Sequence, residues 1–306
     1  MAPWLHLASE IIVVDSHSTD GTLEYLRERL AGYPASFHLR PRGLYQCWNY
    51  GIQQATQPWI YLSTIGDTIH QDLLVHLINL GETTGSDIVL STPTVIADNQ
   101  QPDPLAYWPV QDILKLIPPG SACTFTPELA LFIALRYVPN NTLLGSSASN
   151  LYRTTHLQKH PFPTEYGTSG DGAWGLMPHV FDTRFTCTSR RGSTLLVHPK
   201  AYAPTAYHVD GLGQKLRELG LQTYRDHAHR PELARLQPLA LQKMQSDWEF
   251  HYRELKKLRQ QRHPWFIYPS VWAARQASKR ASLCFRNALR DNQELIRSRH
   301  LTLISS

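Results

Sequence analysis

At 306 residues, 42% of them hydrophobic, the chain can bury a substantial core, in one large domain or one domain with an appendage. Its formal charge of +5 and pI near 9.0 are modest for that length, so they suit an anionic ligand or surface without calling for nucleic acid. The four cysteines lack the paired spacing of a metal site or disulfide framework, which points to a reducing, cytoplasmic setting; no apolar run reaches membrane-spanning length, and MAPWLHLASE lacks the basic start and apolar centre of a secretion signal.

In EIIVVDSHSTDGT, residues 10–22, Ile11, Ile12, Val13 and Val14 form a β-branched run without polar alternation, as in a strand covered on both faces. Asp15 then falls at the carboxyl end of that strand, the edge where open α/β sheets hold ligands. Ser18, Thr19 and Asp20 can cap the helix that follows, so the segment reads equally as a ligand turn or as a well-capped strand, turn and helix. A helix is expected over 22–30 with Leu23, Leu26 and Leu30 on one face, then a short strand over 37–39 and a second helix over 43–55. Residues 59–62 form a further buried strand, which ends in the acidic turn Ser63-Thr64-Ile65-Gly66-Asp67-Thr68. Asp15 and Asp67 would thus leave the same sheet edge, where a divalent ion carrying a diphosphate needs few protein oxygens; the alternative for Asp67 is a cap on the helix over 71–81.

Residues 98–144 are proline-rich, with irregular connections expected around an apolar helix near 128–137. Beyond them, 150–157 suits a short helix, and 167–172 a flexible loop that delivers Asp171 to the next helix start, where a carboxylate suits the helix dipole. Residues 185–197 read as a hairpin-like pair of strands around Arg190-Arg191-Gly192. An amphipathic helix is expected over 232–261 and another over 270–290, with a strong basic excess mixed with Trp265, Phe266, Trp272 and Phe285. That tail reads either as a surface for anionic lipid headgroups or as a helical cap with a solvated basic face.

EIIVVDSHSTDGT, RGLYQCWNYGIQQATQPWIYLSTIGDTI and SDIVLSTPTVI, in that order and spacing, resemble the nucleotide-sugar half of family 2 glycosyltransferases with the GT-A fold. The resemblance implies an α/β fold with a Rossmann-type, mostly parallel sheet flanked by helices over residues 1–212, and a helical, basic extension over 213–306. It implies that Asp15, with Ser18 beside it, contacts the nucleotide, and that Asp67 holds the metal and diphosphate, Gly66 standing where a second acid is common. The segment around Gly43, Asn49 and Gly51 is similar to the family's GIYDAMNKGI helix, with Gln46 in place of its aspartate. GDGAW is similar to the family's (E/G)DxDLW motif, which carries the role of general base to Asp171 and places Trp174 in register, with Ala173 replacing the usual second acid. YHVDGLGQKL resembles a segment in which a histidine, here His208, approaches the metal.

The implied activity is metal-assisted transfer, with manganese or magnesium, of a sugar from a UDP-sugar to a hydroxyl on a polysaccharide or glycolipid. The implied setting is cytoplasmic, with peripheral contact to an anionic membrane. Relatives open with a further strand of the SVIIPTYN kind, which residues 1–9 do not replace, so an open edge is expected beside the strand ending at Asp15. The alternatives are a non-catalytic GT-A-like scaffold that binds sugars or proteins, and a nucleotidyltransferase of related architecture, for which no glycine-rich basic loop is seen.

Overall fold

A computed structural model of the chain describes residues 4–64, 66–96, 108–138, 142–145, 147–196, 211–234, 236 and 292–304. Two compact units emerge: residues 1–224 with 301–306, and residues 225–300. In the first, strand β1 (Ile11–Asp15) leads through a turn to helix α1 (Thr22–Arg29), strand β2 (Ala35–Leu39) and helix α2 (Leu44–Gln54). Strands β3 (Trp59–Ile60) and β4 (Thr68–Ile69) flank the second acidic turn, and helix α3 (Gln71–Thr84) follows, capped by the His70 ring rather than by Asp67. Strands β5 (Ile88–Leu90) and β6 (Thr94–Ile96), helix α4 (Gln111–Leu114), strand β7 (Ala122–Phe125) and helix α5 (Pro127–Tyr137) come next.

Helix α5 follows directly from local chemistry. Thr126 Oγ1 accepts from the Leu129 amide at 3.3 Å and Pro127 supplies a preset first turn, while Leu129 to Leu135 are buried on every side. Strand β8 (Asn150–Arg153), helix α6 (Thr154–Lys159), helix α7 (Gly170–Trp174), strands β9 (Phe185–Thr188) and β10 (Ser193–Leu196) and helix α8 (Leu212–Asp226) continue the chain.

Six strands form the central sheet in the order β11-β7-β9-β5-β8-β3, where β11 (Leu301–Ile304) is the chain's last strand. The α/β architecture is as expected, but the sheet is mixed. β5 and β9 are parallel, whereas β7 and β8 run against their neighbours. Strands β5 and β9 are buried on both faces, and Leu73, Leu74, Leu77 and Leu80 of α3 pack on Val89, Ala122 and Leu151 of the sheet. Each such fully buried leucine contributes about 1.5–3 kcal/mol.

Four local expectations change. Residues 150–153 form a strand, because Tyr152 pairs with both Ile88 and Ile60 and the buried Asn150 amide bonds the Leu144 carbonyl; the helix starts only at Thr154. Residues 185–197 are not a hairpin: β9 stays in the central sheet, while β10 joins β4 and β6 in a separate three-stranded sheet. Ser189 N bonds Ser121 O at 3.0 Å and Ser91 Oγ bonds Arg190 O at 2.6 Å, which fixes the crossing between the two sheets. Residues 167–172 are a 3-10 turn (Gly167–Ser169) running into α7 instead of a loop. Strand β7 arises in the proline-rich stretch by pairing with β9 and β11.

Strand β1 pairs only with β2, in parallel, and β3 only with β8 among the described residues. Ile11 to Val14 are accordingly only half-buried, although their composition is that of a central strand. The chain's end returns to the first unit as β11, while in the second unit helix α9 (Gln293–His300) places Arg299 Nη1 3.2 Å from Glu232 Oε1. Most of the expected helix over 232–261 and all of that over 270–290 lie outside the described residues.

Candidate active site

The turn after β1 is organised by its aspartate. Asp15 Oδ1 accepts from the Ser18 amide at 2.9 Å, and the turn bends back at His17, whose φ is 59°. Burial works against ionisation of Asp15, yet the hydrogen bonds from Ser18 and the His17 amide hold its carboxyl below the usual range. Asp15 and Ser18, expected together, are in contact. Helix α1 is capped at Gly21, and Asp20 Oδ1 takes the Thr22 amide at 3.1 Å. Beside the turn, Arg40 N donates to Asp15 O at 2.9 Å, and Ser16 Oγ lies 3.2 Å from Cys47 Sγ on α2.

The second acidic turn is likewise self-bonded. Asp67 Oδ2 accepts from Thr64 N at 3.2 Å and from Thr64 Oγ1 at 2.6 Å. Gly66 has φ 95°, a conformation that costs an L side chain about 1–2 kcal/mol, which explains why no second acid stands there. Among the described residues no three histidine, cysteine or acidic groups converge to hold a metal ion. Asp67 therefore offers a carboxylate that could complete an ion held mainly by a ligand's own phosphate oxygens, a donor set that suits magnesium or manganese. His208 lies outside the described residues.

Asp171 stands in the first turn of α7, and one of its oxygens is committed. Oδ1 accepts from the Tyr45 hydroxyl at 2.7 Å and from the Gly172 amide at 2.8 Å, and no other described residue besides Asp171's own amide donates to the carboxyl. Burial pushes the carboxyl up to about 6, with the hydrogen bonds from Tyr45, Gly172 and the residue's own amide pulling the other way. A carboxylate tuned to that range, with a spare oxygen, can take a proton near neutral pH. Trp174, in register with the motif, is fully buried and donates from Nε1 to His160 O at 2.7 Å, so its part is to anchor α7.

Tyrosines link these carboxylates. Burial first, then the charge of Asp67 and the neighbouring Tyr152, raise the Tyr61 phenol; burial, with the charge of Asp171 adding to it, raises that of Tyr152. Tyr61 thus feels the charge of Asp67, and Tyr152, which pairs with the residue before Tyr61, feels that of Asp171. Asp15 joins through α2, whose Cys47 meets Ser16 and whose Tyr45 meets Asp171. Sequence reasoning missed Tyr45, Tyr61 and Tyr152. The available signal was the pair Tyr45 and Asn49, one turn apart in α2, both of which bond to the segment preceding or opening α7.

The sequence matches the model of Glycosyl transferase family 2 over residues 5–160, which is more than half of the chain. The chain belongs to glycosyl transferase family 2. Among solved structures, this family 2 chain is similar to S. aureus TarS 1-349 in complex with UDP-GlcNAc, at 17% identity and TM-score 0.51, over 81% of this chain and 64% of that one. It also matches S. aureus TarS at 18% identity and TM-score 0.49, over 80% of this chain and 37% of that one. The chain thus spans less than two thirds of the TarS chains it resembles here, and the likeness to the UDP-GlcNAc complex supports the GT-A-like fold. No curated protein matched the sequence.

Proposed function

We propose that this family 2 chain transfers a sugar from a UDP-sugar to a hydroxyl acceptor, with Asp171 as the general base. The observation that carries the reading is the Asp171 carboxyl itself, raised to about 6 by burial, with one oxygen bonded and the other left to receive a proton. In the step, the acceptor oxygen bonds the anomeric carbon as the bond from that carbon to the diphosphate breaks. The acceptor proton passes to Asp171 Oδ2, and the electron pair leaves with UDP. Asp15 and Ser18 hold the nucleotide at the β1 tip. Asp67 and His208 would hold a manganese or magnesium ion, which when bound would supply positive charge to the departing diphosphate.

Support for a UDP-sugar comes from the fold shared with TarS 1-349, whose structure is of its complex with UDP-GlcNAc. The acceptor is a glycan or glycolipid hydroxyl, and the basic excess beyond residue 251 suits contact with an anionic membrane. No helix among the described residues is long and apolar enough to cross a membrane. UDP release from UDP-GlcNAc by wild type and Asp171→Asn, beside calorimetry of UDP with manganese, tests the reading. Loss of release with UDP binding retained supports it, whereas release undiminished in Asp171→Asn removes the base.

Among the described residues β1 pairs only with β2, and that edge favours a second reading, a GT-A-like scaffold that binds sugars or proteins without turnover. Absence of any UDP binding in the calorimetry would select it.

A further inference from the structure

The sequence motif around α2 contributes more than a packing face. We propose that Tyr45 is the positioning residue for Asp171: its hydroxyl occupies Oδ1 and so turns Oδ2 toward the acceptor. This rests on the reading of Asp171 as the base.

The geometry leaves the hydroxyl little choice. Tyr45 is 3% exposed, and its ring packs edge-on against Trp48 with centroids 5.4 Å apart and tilted against Phe162 at 5.5 Å. On its other side the start of α7 closes in. A Cβ at Gly170 would come 2.5 Å from Tyr45 Cδ2 and 2.5 Å from the Pro163 carbonyl oxygen. A ring clamped in this way fixes where its hydroxyl sits, with no rotamer entropy left to lose on binding a ligand. Two acceptors lie within reach of the hydroxyl, Asp171 Oδ1 at 2.7 Å and Thr168 O at 3.2 Å, and the shorter contact is to the carboxylate.

Among the described residues, the titratable groups facing Asp171 are Tyr45 from α2 and Tyr152 from β8. Burial, and then the charge of Asp171, hold the Tyr45 phenol far above its ordinary range, so Tyr45 remains a donor and keeps its own proton throughout. The proton taken from the acceptor therefore has one destination on this carboxylate, Oδ2, since Oδ1 already receives two hydrogen bonds. A donor to the ionised form also favours that form, so Tyr45 makes the base available at lower pH than burial alone would allow. A purely mechanical pin between α2 and α7 would not have that consequence, and Phe at position 45 keeps the ring packing while removing the donor.

The test is a titration that needs no acceptor. Protein carrying aspartate labelled with carbon-13 at the side-chain carboxyl is followed by NMR from acid to alkaline pH, with the Asp171 signal assigned by its loss in Asp171→Asn. Wild type should titrate near about 6, and Tyr45→Phe about one pH unit higher. The acidic limb of UDP release from UDP-GlcNAc should move with it, so that the loss is about tenfold greater below the limb than on the plateau, where only the loss of positioning is felt. Replacing Tyr45 by 3,5-difluorotyrosine, a stronger donor of nearly the same shape, should move the midpoint down, which keeps the proposal testable if Tyr45→Phe does not fold. An unmoved midpoint in these variants, or a rate loss equal at every pH, overturns it. Release retained in Asp171→Asn would instead sink the base itself, while an inactive Asp171→Asn beside an unmoved Tyr45→Phe limb sinks Tyr45 alone.

Discussion

Asn49 grips the backbone of Phe162 with both ends of its amide: Nδ2 donates to Phe162 O at 2.7 Å, and Phe162 N donates to Oδ1 at 2.9 Å. The pair imitates one rung of a sheet ladder and ties α2 to the segment leading into α7. Asn49→Leu removes both bonds and leaves a half-buried amide and carbonyl unpaired, each at about 1–3 kcal/mol. Urea unfolding should show a midpoint lowered accordingly, and Asn49→Asp, which keeps the acceptor and loses the donor, should fall between that variant and wild type.

Gly170 is the close approach that lets Tyr45 reach Asp171. A methyl group there meets the Tyr45 ring and the Pro163 carbonyl at 2.5 Å each, so Gly170→Ala has to push α7 off α2. Overpacking of this kind costs about 1–3 kcal/mol. Differential scanning calorimetry should register the loss, and UDP release should fall in the same variant because the Tyr45 to Asp171 bond lengthens. A variant as stable and as active as wild type would contradict this packing.

His160 and His179 lie ring to ring with centroids 4.8 Å apart, His156 is 5.0 Å from His160, and Trp174 covers His179 at 4.3 Å. Burial pushes the three imidazoles down, His179 to about 3 and His156 to about 4, with neighbouring imidazoles adding to the effect at His156 and His179 and Lys159 adding to it at His160; Asp87 and Asp182 partly oppose it at His156 and His160. Each is neutral in the fold and gains a proton near 6.5 when unfolded, so their contribution is full above 6.5 and is lost as pH falls toward the folded values. Asp171 slopes the other way. Its folded value near about 6 lies above the unfolded one, so its contribution is present at low pH and lost as pH rises through 6. Thermal unfolding should therefore decline more steeply with acid in Asp171→Asn than in wild type, and His179→Phe in that background should flatten the decline. Parallel curves for all three proteins would refute the assignment.

Gly66 departs from the family's acidic turn for a backbone reason. Gly66→Asp restores the missing acid but forces an L residue to φ 95°, so it should destabilise the protein by about 1–2 kcal/mol. Manganese-dependent binding of UDP, measured by calorimetry, should be lost in Asp67→Ala. Tighter metal-dependent binding in Gly66→Asp with no loss of stability would show that the turn adapts and that φ is not what selects glycine.

Much of this architecture is written locally. β-branched runs, capping residues and apolar stripes depend on neighbours within a turn or two of the chain, so β1, α1, β2, α2, α3 and α5 were legible within a few residues, as were the turns after β1 and β3 that hold Asp15 and Asp67. Tertiary pairing decided the rest. Residues 150–153 became a strand because β5 and β3 both offered it an edge, and β9 and β10 parted because each found partners in a different sheet. Nor does the sequence reveal that α2 comes to rest against α7: Tyr45 and Asp171 are 126 positions apart, and their 2.7 Å bond exists only because Gly170 lacks a side chain where the two helices meet. The residue types for the chemistry can be read along the chain, but the oxygen left open on Asp171, and the burial that tunes it, arise from groups that folding alone brings together.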